Sequence, residues 1–239
     1  MTEISVPRPS STVVLIREAA GAPKIFMVKR HASSSFGSAY AFPGGVLDVA
    51  DAEIEDSCSG RSAADAERII GVAAGGLDFY VAAIRELFEE TGVLLATTEI
   101  STDALAEMRD RLNRDEISWT GFVRETGARM LCNELHYFSH WITPEQMQKR
   151  YTTRFFVAQC PAGQVAHHDE RELTNSTWTT AADALQAGKD GSMKVHYPTK
   201  MTLESLAAHN TVSEIVDWAR AFETSGVETI RPVMPGATQ

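Results

Sequence analysis

The segment 77–92 constrains the fold of this chain more than any other. Apolar side chains recur along it at spacings of four, three and four residues: Leu77, Val81, Ile84 and Phe88. This spacing predicts an amphipathic helix whose apolar stripe packs against a core. Gly92 follows where a helix C-cap is expected, so the helix should end there.

The opposite face of this predicted helix carries three like charges. Glu86, Glu89 and Glu90 stand one, three and four residues apart, and glutamates one helical turn apart repel each other. Either water screens these charges on an exposed face, or a cation binds among them. Clustered carboxylates without nitrogen or sulfur ligands suit a hard divalent cation, Mg²⁺ or Mn²⁺. The upstream FPGG turn, residues 42–45, could bring glycine backbone close to such a site.

Composition and charge set the protein class. The chain has 239 residues, of which 44% are hydrophobic and 23% charged, values typical of one globular domain over residues 1–239. Its net charge of −10 disfavours nucleic acid as a partner, since phosphate backbones attract basic surfaces. No segment approaches the ~20 apolar residues that span a bilayer, so a membrane partner is not expected. The three cysteines, Cys58, Cys132 and Cys160, are widely spaced and predict free thiols in a cytoplasmic protein.

Apolar runs and turn-forming residues predict an α/β fold. Runs of β-branched and aromatic residues indicate strands at 10–18, 24–30, 137–143, 153–161 and 175–180. Helical patterns cover 63–70, two helices within 101–129, 181–188 ending at Gly188, 199–210 and 211–226. These elements predict one mixed sheet flanked by helices. The last helix has apolar residues at helical spacing from Ile215 to Phe222, which favours docking on its own domain and leaves a homodimer interface as the alternative.

FPGG followed by RELFEETGV resembles the signature of the Nudix hydrolases. The second half of that signature matches residue by residue, at Arg85, Glu86, Glu89, Glu90, Gly92 and Val93. The resemblance implies an α/β/α sandwich in which the glutamates and the carbonyl of Gly45 hold divalent metal. It also implies that Arg85 orients a glutamate and that water attacks a diphosphate. Arg85, Glu86 and Glu89 are therefore the predicted catalytic residues of the helix.

The first half of the signature departs from the family pattern. Residues 46–84, 39 in all, separate Gly45 from Arg85 where the family has 13. Residues 46–76 therefore indicate an insertion, either a lid over the site or a surface decoration. The early glutamate of the family falls at Leu77, and the adjacent Asp78 is the candidate substitute. A split signature of this kind resembles the coenzyme A diphosphatase branch, as do the flanking segments between residues 11 and 209.

Other candidate residues lie outside the signature. The resemblance favours Glu172 as an additional catalytic carboxylate, and a polar loop is the alternative. Adjacent His167 and His168 could ligate metal but are more typical of an exposed loop. The predicted substrate-binding residues are Arg30, Phe42 and Arg154, with weaker support for Arg154 and for Lys200, and a surface arginine is the alternative for Arg30. Four aromatic residues of the later strands favour core packing over stacking on a base: Phe138, Trp141, Phe155 and Phe156.

These observations predict a metal-dependent hydrolase of a small-molecule diphosphate, and the resemblance implies coenzyme A or acyl-CoA as a candidate substrate. ADP-ribose and nucleotide sugars are the alternative substrates. A Nudix-fold module that senses a nucleotide without hydrolysing it is a second class. A prenyl diphosphate isomerase is a third class, and it would need a catalytic cysteine, whereas Cys58 lies in the insertion.

Overall fold

A computed structural model describes residues 4–31, 37–169 and 173–233. Its strands are β1 (Arg8–Arg17), β2 (Lys24–Arg30), β3 (Tyr40–Ala41), β4 (Gly44–Val46), β5 (Cys58–Ser59), β6 (Ala96–Thr97), β7 (Arg129–Leu131), β8 (His136–Ile142), β9 (Tyr151–Gln159), β10 (Leu173–Thr180) and β11 (Thr229–Ile230). Its α-helices are α1 (Val49–Ala52), α2 (Ala63–Ile70), α3 (Gly76–Thr91), α4 (Thr102–Asn113), α5 (Trp119–Thr126), α6 (Ala181–Asp190), α7 (Tyr197–Leu206) and α8 (Val212–Ser225).

The main sheet is mixed, with strand order β10-β2-β1-β9-β8-β11. β1 runs parallel to β9 and antiparallel to β2, while the short strands β3 and β4 pair with β2 and β1. Pairing of Ser11 in β1 with Gly45 in β4 fixes the FPGG turn against the centre of the sheet. A separate small sheet has the order β5-β7-β6.

Helices cover both faces of the main sheet, as the sandwich prediction requires. Alternate residues of β1 enter different cores, with Val13 and Leu15 on one side and Val14 and Ile16 on the other. The first core contains α2, α3 and α5 side chains, and the second contains those of α6, α7 and α8. A strand buried on both faces reads as a continuous apolar run, which is why β1 is visible in the sequence.

Helix α3 lies deeper than a surface helix. Most of its residues are buried, including Leu77, Val81, Ile84 and Phe88. Gly92 ends it in the left-handed conformation and donates its N–H to the Phe88 carbonyl at 2.8 Å, as predicted. The apolar stripe therefore fixes the orientation of the glutamate-bearing face.

Several boundaries differ from the sequence prediction. Gly188 does not end α6, which continues to Asp190 and is capped by Gly191. The small sheet was not predicted, because strands of two or three residues give no periodic signal. Helix α8 packs against the second core through Ile215 and Ala219. Within the described ranges, no helix is both long and apolar enough to cross a membrane.

Candidate active site

The carboxylate face of α3 opens onto a pocket of about 600 Å³. The described residues that line it come from the end of β2, the FPGG turn with β4, α3, the end of α4 with the residues after it, and the segment before β10: Arg30, Gly44, Gly45, Val46, Arg85, Glu86, Glu89, Glu90, Leu112, Asn113, Asp115 and Asp169. Five carboxylates thus face two guanidinium groups. This imbalance makes the pocket a site of negative potential.

Arg85 lies at the centre of the hydrogen-bond network in this pocket. Its Nη1 donates to Glu86 Oε1 at 2.7 Å and to Glu89 Oε2 at 3.3 Å. Its Nε and Nη2 donate to the two carboxylate oxygens of Asp51 at 2.8 and 3.1 Å, and Nη2 also reaches the Val46 carbonyl. Although burial opposes it, these partners raise the pKa of Arg85. Arg85 therefore stays charged and holds two glutamates on one side of the pocket.

Asp51, rather than Asp78, is the carboxylate that anchors Arg85. Asp51 is fully buried, and its Oδ2 also accepts the backbone N–H of Asp48 in a capping box at the start of α1. None of the hydrogen bonds of Arg85 goes to Asp78, and burial raises the pKa of the Asp78 carboxyl. Asp51 lies within the segment 46–76, and a role for Asp78 in place of the early glutamate stays a prediction.

Glu90 joins α3 to the FPGG turn. The backbone N–H of Gly44 donates to Glu90 Oε2 at 3.0 Å, and Arg30 Nη2 lies 3.5 Å from Glu90 Oε1. Arg30 also donates to the Gly44 carbonyl. The side chain of Arg30 remains 28% exposed at the pocket, so its guanidinium is accessible to an anion.

Gly45 allows the Glu86 carboxyl to approach the backbone closely. A Cβ built on Gly45 would overlap this carboxyl, lying 2.5 Å from Oε2. Its φ lies outside the left-handed region, so space rather than backbone conformation requires glycine here. The FPGG turn therefore forms a wall directly against one glutamate.

Glu89 lacks full charge compensation in this arrangement. Burial raises the pKa of its carboxyl to about 7, and the charge of Glu86 acts in the same direction, while Arg85 opposes both. A carboxyl with such a pKa is a group whose charged form would gain from a nearby cation.

Comparison with known protein families identifies the family of this chain. A family model described as the NUDT19 Nudix domain matches residues 59–204, more than half of the chain. The chain belongs to this family. The FPGG turn and Asp51 precede the matched residues of this Nudix chain. The structure shows that Asp51 nevertheless contacts the signature, through its hydrogen bond with Arg85.

This Nudix chain matches only part of the length of its relatives. The acyl-coenzyme A diphosphatase NUDT19 of Xenopus laevis is 24% identical over 253 residues, which cover 88% of this chain and 67% of the relative. The human protein of the same description is 23% identical over 172 residues, covering 65% of this chain and 46% of the relative. The chain thus spans about two thirds of the frog protein and less than half of the human one.

A solved structure shows the same fold. A Nudix hydrolase from Alicyclobacillus acidocaldarius superposes with a TM-score of 0.71 at 24% identity, covering 90% of this chain and 97% of that one. The predicted α/β/α sandwich is therefore confirmed.

The donor set of this Nudix chain fits a hard divalent cation. Glu86, Glu89, Glu90 and Asp169 offer only carboxylate oxygens to the pocket, the ligands that Mg²⁺ and Mn²⁺ prefer. Across residues 4–31, 37–169 and 173–233, no three acidic, histidine or cysteine side chains are already gathered around one point. Glu86 and Glu89 turn to Arg85 instead, so a cation would compete with this arginine for them.

Two predicted substrate-binding residues do not line the pocket. Phe42 is 2% exposed and packs in the second core, because the FPGG turn directs its aromatic ring to the face of the sheet opposite α3. Arg154 is buried on β9, where its guanidinium lies 4.5 Å from the centre of the Phe79 ring and donates to Thr152. Burial also lowers the pKa of Arg154. These positions give neither side chain access to the pocket.

The remaining candidates are placed as follows. Glu172 lies outside the described residues. His167 Nε2 lies 3.0 Å from Arg109 Nη1, and His168 Nδ1 lies 2.9 Å from Ser176 Oγ, so neither ring points to the glutamates. Lys200 pairs with Glu204 on α7, on the opposite face of the sheet. The four aromatic residues of β8 and β9 are buried, as predicted: Phe138, Trp141, Phe155 and Phe156.

Sequence reasoning missed two buried charged residues that bond to residues of this site, Asp51 to Arg85 and Arg109 to the Glu89 carbonyl. Asp51 had a signal, since aspartates at positions 48 and 51 have the spacing of a capping box. Arg109 had none, because nothing in the sequence of α4 separates this buried arginine from the more exposed Arg111.

Proposed function

We propose that this chain hydrolyses the diphosphate linkage of coenzyme A or an acyl-CoA, with Mg²⁺ or Mn²⁺ as cofactor. Membership in the NUDT19 Nudix domain family supports the reaction class, and the acyl-coenzyme A diphosphatase activity for which the frog and human relatives are named supports the substrate. ADP-ribose and nucleotide sugars are the alternative substrates of the same chemistry.

One observation carries the proposal: the arginine and the three glutamates of α3 meet the FPGG turn at a single pocket. Five carboxylates against two arginines would repel a diphosphate, so a substrate of this class requires added positive charge. Glu86, Glu89, Glu90 and the Gly45 carbonyl are the groups that would hold the cation. When bound there, a divalent ion neutralises phosphate oxygens and lowers the pKa of water.

The chain's own residues supply binding and orientation. Arg85, fixed by buried Asp51, holds Glu86 and Glu89 through charge-assisted hydrogen bonds. Arg30 is the accessible cation for a second phosphate, because its guanidinium can bind phosphate oxygens in a bidentate manner. The pocket volume of about 600 Å³ lies within the range of small-molecule sites, roughly 300–1,000 Å³.

A substrate screen tests this function. Purified protein is incubated with coenzyme A, acyl-CoA, ADP-ribose and a nucleotide sugar in the presence of Mg²⁺ or Mn²⁺, and both products are identified by mass spectrometry. Reaction in ¹⁸O-labelled water identifies the phosphorus that is attacked. Thermal stabilisation by a ligand without any product would identify a sensor instead of an enzyme.

Two substitutions test whether the measured hydrolysis comes from this pocket rather than from a contaminating enzyme. Glu89→Gln and Glu90→Gln should each lower kcat by at least about 100-fold, since each removes a charged oxygen donor from the pocket. Glu107→Gln on α4 is the matched control, because Glu107 is exposed and does not line the pocket. Retained activity in both pocket variants would contradict the mechanism.

Three further expectations remain predictions of the same proposal. Glu172 is the predicted additional catalytic carboxylate, to be tested as Glu172→Gln alongside the pocket variants. The homodimer and the cytoplasmic location also remain predictions.

A further inference from the structure

Helix α4 carries a buried arginine directly behind the glutamate-bearing end of α3. Arg109 is only 6% exposed, although it lies on a helix whose neighbouring charged residues face solvent. Burial lowers the pKa of Arg109, while the nearby charges of Asp169, Asp110 and Glu90 act in the opposite direction. A charge held in such a place needs several good acceptors.

The guanidinium of Arg109 finds acceptors on two separate segments. Its Nε donates to the Glu89 carbonyl at 3.1 Å, a group at the end of α3 that also accepts from Asn113 Nδ2 at 3.2 Å. Its Nη2 donates to the His167 carbonyl at 3.3 Å, and Nη1 lies 3.0 Å from His167 Nε2. One planar group therefore joins the last turn of α3 to the segment before β10.

That segment lies along the last turn of α3. The backbone N–H of His167 donates to the Thr91 carbonyl at 3.0 Å, and that of Asp169 donates to the Glu90 carbonyl at 3.1 Å. Asp169 consequently lines the pocket together with Glu89 and Glu90. Its position relative to these glutamates depends on how firmly residues 167–169 are held to the helix.

We propose that Arg109 is a positioning residue that holds Asp169 in the pocket together with the glutamates of α3. This proposal rests on the proposed function for its kinetic consequence. Arg109 touches no reacting atom; it acts by fixing the Glu89 carbonyl and His167 to each other. Gly92 leaves room for this contact, since a Cβ there would lie 3.1 Å from Arg109 Nη1.

Lysine cannot replace arginine in this role. The three nitrogens of a guanidinium are fixed in one plane and can bond the three acceptors at once, whereas a lysine ammonium on a flexible stem is a single point charge. Arg109→Lys keeps the positive charge and most of the buried stem, so it separates geometry from charge.

A double-mutant cycle on activity tests the proposal. Arg109→Lys should lower kcat at least about 10-fold with little change in KM, since misplacement of ~1 Å can cost ~100-fold in rate. Asp169→Asn should lower kcat as well. In the Asp169→Asn background the lysine substitution should lower kcat by less than about 3-fold, because the group that it positions is already lost.

Arg111→Gln is the matched control, on the same helix and paired with Glu125 at the surface, and it should leave kcat unchanged. Equal factors for Arg109→Lys in both backgrounds would overturn the proposal, as would full activity of Asp169→Asn.

Hydrogen exchange distinguishes failure of this inference from failure of the proposed function. In Arg109→Lys the amides of His167 and Asp169 should exchange at least about 10-fold faster, while those of β1 and β9 stay unchanged. This measurement needs no substrate, so it applies even if the wild-type protein hydrolyses none of the compounds screened. Unchanged exchange at both amides would overturn the proposal independently of any activity.

Discussion

Replacing Gly45 by alanine tests whether the close approach of Glu86 to the FPGG turn matters for activity. The new Cβ would lie 2.5 Å from Glu86 Oε2. The other oxygen of this carboxyl, Oε1, accepts a hydrogen bond from Arg85. The backbone conformation of Gly45 suits alanine, so the substitution acts through this one contact.

The size of the effect follows from that distance. An ordinary carbon–oxygen contact needs ~3.5 Å, so the Glu86 carboxyl has to move by about 1 Å. Such a shift breaks the 2.7 Å hydrogen bond from Arg85 Nη1 unless the arginine moves too, and Asp51 holds the arginine in place. Misplacement of a catalytic group by 1 Å costs about 100-fold, or about 2.7 kcal/mol in the barrier.

Stability should change much less than activity. Glu86 is partly exposed, so its side chain can turn towards solvent. Alanine also restricts the unfolded chain, which stabilises the folded state by about 0.4–1 kcal/mol. We therefore expect Gly45→Ala to lower kcat/KM about 100-fold while its Tm stays within a few degrees of wild type. Steady-state kinetics on the substrate identified by the screen, with thermal unfolding in parallel, measure both quantities.

Gly188→Ala is the matched control for this experiment. Gly188 lies inside α6, and a Cβ there meets Val195 at an ordinary 3.5 Å. The control should retain full activity and gain up to ~1 kcal/mol from helix propensity. If Gly45→Ala keeps kcat/KM within about 3-fold of wild type, the reasoning about Glu86 is refuted.

Two further predictions concern buried charges. Asp51→Asn should lower the free energy of unfolding in urea by about 3 kcal/mol, since it leaves buried Arg85 without its anchoring charge, whereas Asp65→Asn at an exposed surface pair should change little. Equal effects of the two substitutions would contradict this reasoning. Burial, with help from Arg154, lowers the pKa of His140 to about 4, below its unfolded value of ~6.5. As the pH falls through 6.5 the unfolded chain protonates His140, whereas the folded protein keeps it neutral. The free energy of unfolding therefore keeps its full value well above pH 6.5 and should fall by about 1–2 kcal/mol on going to pH 5. A His140→Gln variant should lack this loss.

The parts of the fold that were predictable depend on repeated local patterns. Strands β1 and β2 are continuous apolar runs because both sheet faces are covered, and α3 carries an apolar stripe ended by Gly92. The glutamate face of α3 follows from the same periodicity. These features need no knowledge of distant residues.

The missed features depend on contacts between distant residues. Asp51 meets Arg85 across 34 positions from a helix of four residues, too short to show periodicity. Phe42 could equally have faced a ligand or a core, and only the path of the turn decides. Arg109 is buried because α4 packs behind α3, which its polar sequence does not indicate.

The pair between Asp51 and Arg85 has a consequence for how much this chain can vary. It closes a loop whose ends are held 2.8 Å apart by two charges. The entropy cost of closing a flexible loop rises only with the logarithm of its length, about 0.6 kcal/mol for each doubling. Because α2 and α3 pack in the first core, this small cost applies to residues added in the exposed turn between them, 71–74. The same residues placed between Gly45 and Asp51 would separate groups that touch Arg85 and Glu86 directly.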